Sequence, residues 1–394
     1  MTRIDAVRTF ADNVLEHARD RHRETPTPLF VDGLNVDTLE PPRWVHQGVE
    51  WIPSNLASHQ NLLRALVALT NLTGDETYRE AALRTVTAGF ELLQHETGLL
   101  DWGGHRFFDL NSGEAVGEGY RHELKHHYPF YELMWEVDPS ATRRFLEAFW
   151  NAHVLDWATL DMNRHGPYDL EMGDLWESAF VGAEPFFEGE GLTFINTGSD
   201  LVYAAAMHYL FTGEEGALTW SKRLAEQYVR ARHPGTGLGA YQFTKPKRRD
   251  ELPEEGPLPT GSNYGDRAEN QFGPEFGDVA REGWMLRSPA SIYGVSAIMQ
   301  MQLSELLGER GDEFLDWTVE GLRAWAEHGY DAENNLARPI WADGTDLSGY
   351  ELKRDGYYGK KGAVLEAREA PGILLWSCAM ASRLSGDPAL WQTA

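Results

Sequence analysis

A single cysteine, Cys378, stands among 394 residues, which excludes an intramolecular disulfide. It falls in an apolar helical run and reads as a small buried side chain rather than a nucleophile. No apolar stretch is long enough to span a bilayer, so no membrane partner is expected. The segment from Met1 to Asp20 is polar and amphipathic, without the apolar core of a secretion signal, and a cytoplasmic location is expected from it. Lysine is scarce, with seven among 35 basic residues, against 61 Asp and Glu and a formal net charge of −26. No basic stripe is visible, which argues against nucleic acid as a partner. Acids spread along the whole chain read as a halophilic surface, since concentrated salt screens their mutual repulsion. An anionic ligand would be repelled at long range, so local arginines or a metal must hold it.

Apolar side chains make up 42% of the residues and include 14 Trp, enough for a sizeable core and for rings that stack on sugars. Their spacing predicts helices over 3–19, 55–72, 76–95 and 217–232. Thr73-Gly74-Asp75 separates the second and third of these, a helix stop followed by an acidic helix start. The device returns at Thr212-Gly213-Glu214 and Ser385-Gly386-Asp387, and more weakly at Leu307-Gly308-Glu309. Glycine turns follow at Thr97-Gly98-Leu99-Leu100 and Thr236-Gly237-Leu238-Gly239, with a looser version at Asn334-Asn335-Leu336-Ala337. A degenerate repeat longer than ~30 residues, with apolar helices and loops of varied length, predicts one all-α domain over 1–394. Its expected form is an (α/α)6-7 barrel, or toroid, whose rim loops build the site. The stretch 26–53 reads as a long ordered loop. The longest irregular stretches, about 234–288 and 331–369, read as functional rim loops.

Three short clusters concentrate the chemistry. Asp101-Trp102-Gly103-Gly104-His105-Arg106 reads as a hairpin, and Tyr120 to Pro129 holds three histidines with Glu123 and Lys125 at the mouth of the next helix. Asn163-Arg164-His165-Gly166-Pro167-Tyr168-Asp169 reads as a loop. His122-Glu123-Leu124-Lys125-His126 satisfies the zinc-peptidase pattern H-E-x-x-H, which requires a helix. Gly117, Gly119 and Pro129 leave little helix to hold it. Taken across the clusters, His105, Glu123 and His165 form a mixed nitrogen and oxygen set suited to manganese, zinc or iron. His122, His126 and His127 are competitors for those roles.

At these residues the chain resembles the endo-pectate lyases of polysaccharide lyase family 2, whose fold is an (α/α)7 barrel. The resemblance implies a divalent transition metal, Mn2+, held by His105, Glu123 and His165. It makes Arg164, directly before the last ligand, the catalytic base, where the chemistry of the residues alone would sooner nominate Lys125, His126 or a tyrosine, and it places a second catalytic arginine at Arg267. The implied activity is metal-dependent β-elimination on a 1,4-linked polyuronate, either pectate or oligogalacturonate. Lys125, His126, Arg338 and Arg354 would grip substrate carboxylates. Trp102, Tyr168, Tyr264, Tyr357 and Tyr358 would stack on sugar rings. With a cytoplasmic location, imported oligosaccharides are the expected substrate. The runner-up is a glycoside hydrolase on the same barrel, of the unsaturated uronyl hydrolase type, drawing two carboxylates from Asp169, Glu171, Asp174 and Glu177. A peptidase and a non-enzymatic binding ring are the remaining alternatives.

Overall fold

The computed structural model describes residues 2–46, 48–117, 121–182, 191–243, 272, 289–356 and 358–394. The chain falls into two compact units, Met1–His153 with His165–Leu175, and Val154–Arg164 with Trp176–Ala394.

The first unit opens with helix α1, Arg3–His17, whose start is fixed by a reciprocal cap between Thr2 and Asp5. The segment read as a loop over 26–53 instead carries a two-stranded hairpin, β1 Trp44–His46 and β2 Val49–Trp51, with Trp44 paired to Trp51. Next comes β3, Pro53–Ser54, which pairs with β4, Arg106–Asp109; β4 pairs in turn with β5, Glu114–Gly117. Helices α2, Gln60–Thr73, and α3, Glu76–Leu93, form a hairpin, as do α4, Tyr131–Val137, and α5, Pro139–His153. On α2 the buried residues Leu63, Leu66, Leu69 and Thr70 recur at helical spacing. Helix α5 buries Phe145, Leu146, Phe149 and Trp150; Phe145 packs on Trp102 and His122, and Phe149 on His122.

The second unit begins with a short hairpin, β6 Val154–Asp156 and β7 Asp161–Met162. Strand β8, Thr193–Phe194, leads into α6, Ile195–Thr212, whose residues 195–208 are all buried. A helix enclosed on every side needs no polar face, and α6 reads as nearly continuous apolar and small residues. It pairs with the amphipathic α7, Glu215–Arg230. Strand β9, Gln242–Phe243, returns to pair with β8. A π-helical turn, Ala290–Ser296, runs into α8, Ala297–Leu307, which pairs with α9, Asp312–His328. Tyr330–Asp331, Leu336–Ala337 and Arg368–Glu369 are β10, β11 and β12 of a three-stranded sheet, which gives the 331–369 stretch regular edges. Helices α10, Gly372–Ser385, and α11, Pro388–Thr393, close the chain. Most of the 234–288 stretch lies outside the described residues.

The repeat seen in the sequence has a common chemistry. In α2/α3, α6/α7 and α10/α11 the stop glycine adopts φ near +75° and its N–H caps a carbonyl four residues back. The preceding Thr73, Thr212 or Ser385 hydroxyl accepts the N–H of the acid two residues on. Asp75 and Asp387 then cap the next helix. Gly308 does not share this conformation, at φ +59° and ψ −140°, and a tight 3₁₀ turn over Gly308–Gly311 takes its place.

Space around Gly74 is open, so a substitution there acts on backbone conformation alone. Gly74→Ala is expected to lower stability by ~1 kcal/mol. Asp75→Ala is expected to cost a similar ~1 kcal/mol through the lost cap. Both are read from urea midpoints at constant slope.

Candidate metal centre

Three extended segments of the first unit are drawn side by side. His122 and Gly166 exchange backbone hydrogen bonds, N–H to O=C at 2.7 Å and 3.0 Å. Gly103 bridges Glu123 in parallel, and the Gly104 N–H donates to the Glu123 carbonyl at 2.8 Å. The Asn55 side chain clamps Gly103 on its other edge, accepting from its N–H and donating to its carbonyl. Such close approach requires the glycines. A Cβ on Gly103 would stand 2.0 Å from the Glu123 carbonyl oxygen, and one on Gly166 would stand 2.7 Å from the His153 ring.

The pairing brings together His105, Glu123 and His165. Their Nε2 atoms and carboxylate oxygens all lie within 4.8 Å of one another. His105 Nε2 is 3.2 Å from Glu123 Oε2, His165 Nε2 is 3.6 Å from Glu123 Oε1, and the two imidazole nitrogens are 3.0 Å apart. Glu123 is fully buried, while the two imidazoles keep an open edge. A buried carboxylate facing two converging imidazole nitrogens is a donor set that fits a divalent transition metal. The Lys125 ammonium lies 2.6 Å from Glu123 Oε2 and is one-third exposed, so the buried charge already has a cationic partner.

His105 was expected on a hairpin; it lies directly before one, β4–β5, and His165 lies in a loop. Glu123 is not at a helix mouth; it lies in extended backbone, and α4 begins only at Tyr131. His122 to His126 is not helical either, which removes the shared face a zinc peptidase needs. Tyr168 is 1% exposed, with its hydroxyl donating to the Leu100 carbonyl and its ring under Arg106. Trp102 is wholly buried, and Tyr358 is nearly so. Trp102 and Tyr168 pack with no ring face left for a sugar, whereas Tyr358 still lines a cavity. Arg164, Arg338 and Arg354 belong to the second unit. The Arg164 N–H donates to the Leu192 carbonyl, and its guanidinium lies 4.6 Å from the Phe194 ring centre. Arg338 lines a cavity of about 440 Å³ with Arg368, Glu366 and Tyr358. Arg267, Tyr264 and Tyr357 lie outside the described residues.

Sequence reasoning missed the support beneath the trio. The Trp102 indole N–H donates to His122 Nε2 at 3.1 Å, and His122 Nδ1 is 2.9 Å from His153 Nε2. An imidazole that accepts at Nε2 must carry its proton on Nδ1, so His122 donates to His153. Burial, with His153 and His127 close by, pushes the His122 pKa well below its ordinary value and keeps this ring neutral. Trp102 stands three residues before His105, His122 is bonded to Glu123, and the His153 ring packs on Gly166. One buried chain therefore ties all three segments that carry His105, Glu123 and His165. The signal was present only as isolated His and Trp residues separated by 20 and 31 positions.

The loop beyond Glu123 is held under strain. His126 and Tyr128 adopt φ of +55° and +41° without being glycine. Arg64 on α2 donates to the carbonyls of Tyr128 and Pro129, and Gln60 accepts from the Phe130 N–H. Burial lowers His126 to about 3 and His127 to about 4; for His127 the Lys125 charge adds to the effect while Glu123 opposes it.

A family model described as Periplasmic pectate lyase matches residues 27–394. The pectate disaccharide-lyase of Dickeya dadantii (strain 3937) is 39% identical over 378 residues, covering 92% of this chain and 68% of that protein. Among solved structures, D-mannose isomerase superposes with a TM-score of 0.53 at 11% identity, over 100% of this chain and 87% of its own. The cellobiose 2-epimerase of Bacillus thermoamylovorans B4167 gives 0.54 at 9% identity, over 99% and 85%. These likenesses show the fold alone, and it is the α/α-toroid class that the helix repeat predicted. The family's description as periplasmic overturns the cytoplasmic expectation. That expectation rested on the polarity of the first twenty residues, a feature of surface chemistry that does not decide location. The preference for imported oligosaccharides falls with it.

Two outcomes test the local chemistry. His122→Phe removes both an acceptor and a donor from a buried chain and is expected to cost at least ~2 kcal/mol, whereas His122→Gln, which can supply both, costs less. In the unfolded chain His126 and His127 take up protons near their ordinary 6.5, above their folded values. Their contribution to stability is present above that pH and is lost as pH falls toward about 4. His126→Asn, which tolerates the left-handed backbone, is expected to flatten the fall of the urea midpoint across that window.

Proposed function

The chain belongs to the periplasmic pectate lyase family and is a lyase of polyuronates; on that premise we propose that His105, Glu123 and His165 hold a divalent transition metal, manganese, at the centre of its active site. The observation that carries this reading is the convergence of two imidazole nitrogens on one buried carboxylate. Pectate lyases are generally metal-dependent. When bound, such an ion supplies Lewis acidity toward the carboxylate on C5 of the uronate, which makes the C5 proton more acidic. Unsaturated disaccharides are the proposed product, as the name of the Dickeya relative suggests. The run of the family model through 27–394 supports a single catalytic domain.

The chain's own residues divide the remaining work. Lys125 presents a one-third-exposed ammonium beside Glu123 and is placed to take a substrate carboxylate. The strapped loop from His126 to Pro129 holds Lys125 in position. Arg164 is proposed as the base because it directly precedes His165 in the pattern shared with the family. It accepts the C5 proton; the C5–H electron pair becomes the C4–C5 double bond, and the C4–O bond breaks to release the leaving sugar oxygen. A guanidinium is ordinarily charged, so Arg164 accepts the proton only in its neutral form. Arg267 is proposed as the second arginine of the site.

With polygalacturonate and manganese, the protein is expected to generate product absorbing at roughly 235 nm, the conjugated uronate left by elimination. EDTA is expected to abolish this signal and manganese to restore it. Arg164→Ala is expected to lower kcat by ~10²-fold or more while the metal is retained. Chain shortening without ultraviolet absorbance would mean hydrolysis and overturn the reading. Full activity in Arg164→Ala would move the base to Lys125.

A further inference from the structure

The β1–β2 hairpin carries an aromatic surface that the chemistry above does not use. Trp44 and Trp51 are direct cross-strand partners, with ring centres 5.3 Å apart. Trp44 also lies 5.3 Å from the Phe107 ring, and Trp51 lies 6.1 Å from it. Phe107 is buried, but Trp44 is 51% exposed, on a hairpin whose neighbouring Val45 and Val49 are open as well. A hairpin with strands this short is marginal alone, and the two indoles on Phe107 hold it down. That role leaves about half of the Trp44 surface exposed. The exposed half of a large ring, fixed by two other rings, is a flat apolar surface in a defined orientation.

Its position points to what lies on it. Phe107 follows His105 by two residues, so the Cα atoms of the two are at most ~7 Å apart. The hairpin is tied to the same strand, because β3 pairs with β4 and the Ile52 N–H donates to the Asp109 carboxylate at 2.8 Å. Trp44 is thus referenced to the metal centre through a short, hydrogen-bonded path. Arg43, directly before Trp44, pairs with Glu50, which the strand register places on the opposite face of the hairpin from the two indoles. An exposed apolar plane matches the C–H face of a pyranose ring, and the substrate class proposed for the metal centre makes that ring a uronate.

We propose that Trp44, braced by Trp51 and Phe107, is a stacking platform for a uronate residue of the bound chain, one or more sugars from the bond that is cleaved. The inference rests on the lyase reading, since it takes its occupant from the substrate class. A polymer held at the metal centre extends beyond it, and the platform engages that extension. Binding there favours long substrates over short ones and leaves the chemical step alone.

The test compares wild type, Trp44→Ala and Trp44→Phe on polygalacturonate and on trigalacturonate. For Trp44→Ala the KM for polygalacturonate is expected to rise about tenfold, with kcat within about twofold of wild type. The rise on trigalacturonate is expected to be smaller, and Trp44→Phe to recover most of the loss. Wild-type tryptophan fluorescence is expected to change on adding polygalacturonate, with a reduced response in Trp44→Ala. An unchanged KM on polygalacturonate would overturn the platform. So would an equal loss of kcat on both substrates with lowered thermal stability, because it would show the indole only holds the hairpin. Concentration-dependent self-association abolished in Trp44→Ala would assign the surface to a second copy and also overturn it. Wild type that yields no absorbing product would defeat the lyase reading instead, and the fluorescence response to polygalacturonate would still decide the platform.

Discussion

The antiparallel backbone exchange between His122 and Gly166 is the constraint on which the centre depends. It sets Glu123 beside His165, and the parallel bridge from Gly103 to Glu123 brings His105 to the same point. None of the three side chains could converge if the backbones were separated by ordinary Cβ contacts, which is why Gly103 and Gly166 stand where they do. The buried chain Trp102–His122–His153 then locks the arrangement from below. A donor set built on extended strands and braced by a satisfied polar chain is pre-organised, because the three side chains do not have to be gathered from separate segments.

Electrostatics gives this arrangement its purpose. A protein with a formal charge of −26 repels an anionic polymer at long range. Only local positive charge reverses that; at the centre Lys125 offsets Glu123, and a bound divalent ion would supply the excess. The Glu123 charge is buried and compensated by Lys125, and the imidazoles that face it are held on fixed backbone. The strained backbone at His126 and Tyr128, strapped to α2 by Arg64 and Gln60, carries the rigidity on from Glu123 through Lys125. Strain of this kind persists only where the surroundings over-determine it.

Much of this was legible in the sequence, for identifiable reasons. The helix pairs were readable because Thr73-Gly74-Asp75 and its copies carry their own stop and start chemistry in three adjacent residues. The trio was readable because Arg164-His165 and the placement of Glu123 and His105 form a pattern. Other features rest on contacts between distant residues and had no local signature. The hairpin at Trp44–Trp51 was hidden in a proline-rich stretch, since its stability comes from Phe107, more than fifty positions away. Tyr168 stood among polar neighbours and read as a sugar-stacking ring, but its hydroxyl is taken by the Leu100 carbonyl and its ring by Arg106. Glu123 was expected at a helix mouth because the run toward Pro129 is polar, whereas bridges to Gly103 and His122's pairing keep it extended.

The most direct test of the metal assignment is the X-ray absorption spectrum of the manganese-loaded protein. A first coordination sphere containing two imidazole nitrogens together with carboxylate oxygen is predicted, and the imidazole scattering should be lost when His105 and His165 are both replaced by alanine. A spectrum with oxygen neighbours alone, unchanged by those replacements, would contradict the assignment of His105, Glu123 and His165 as the centre of the site.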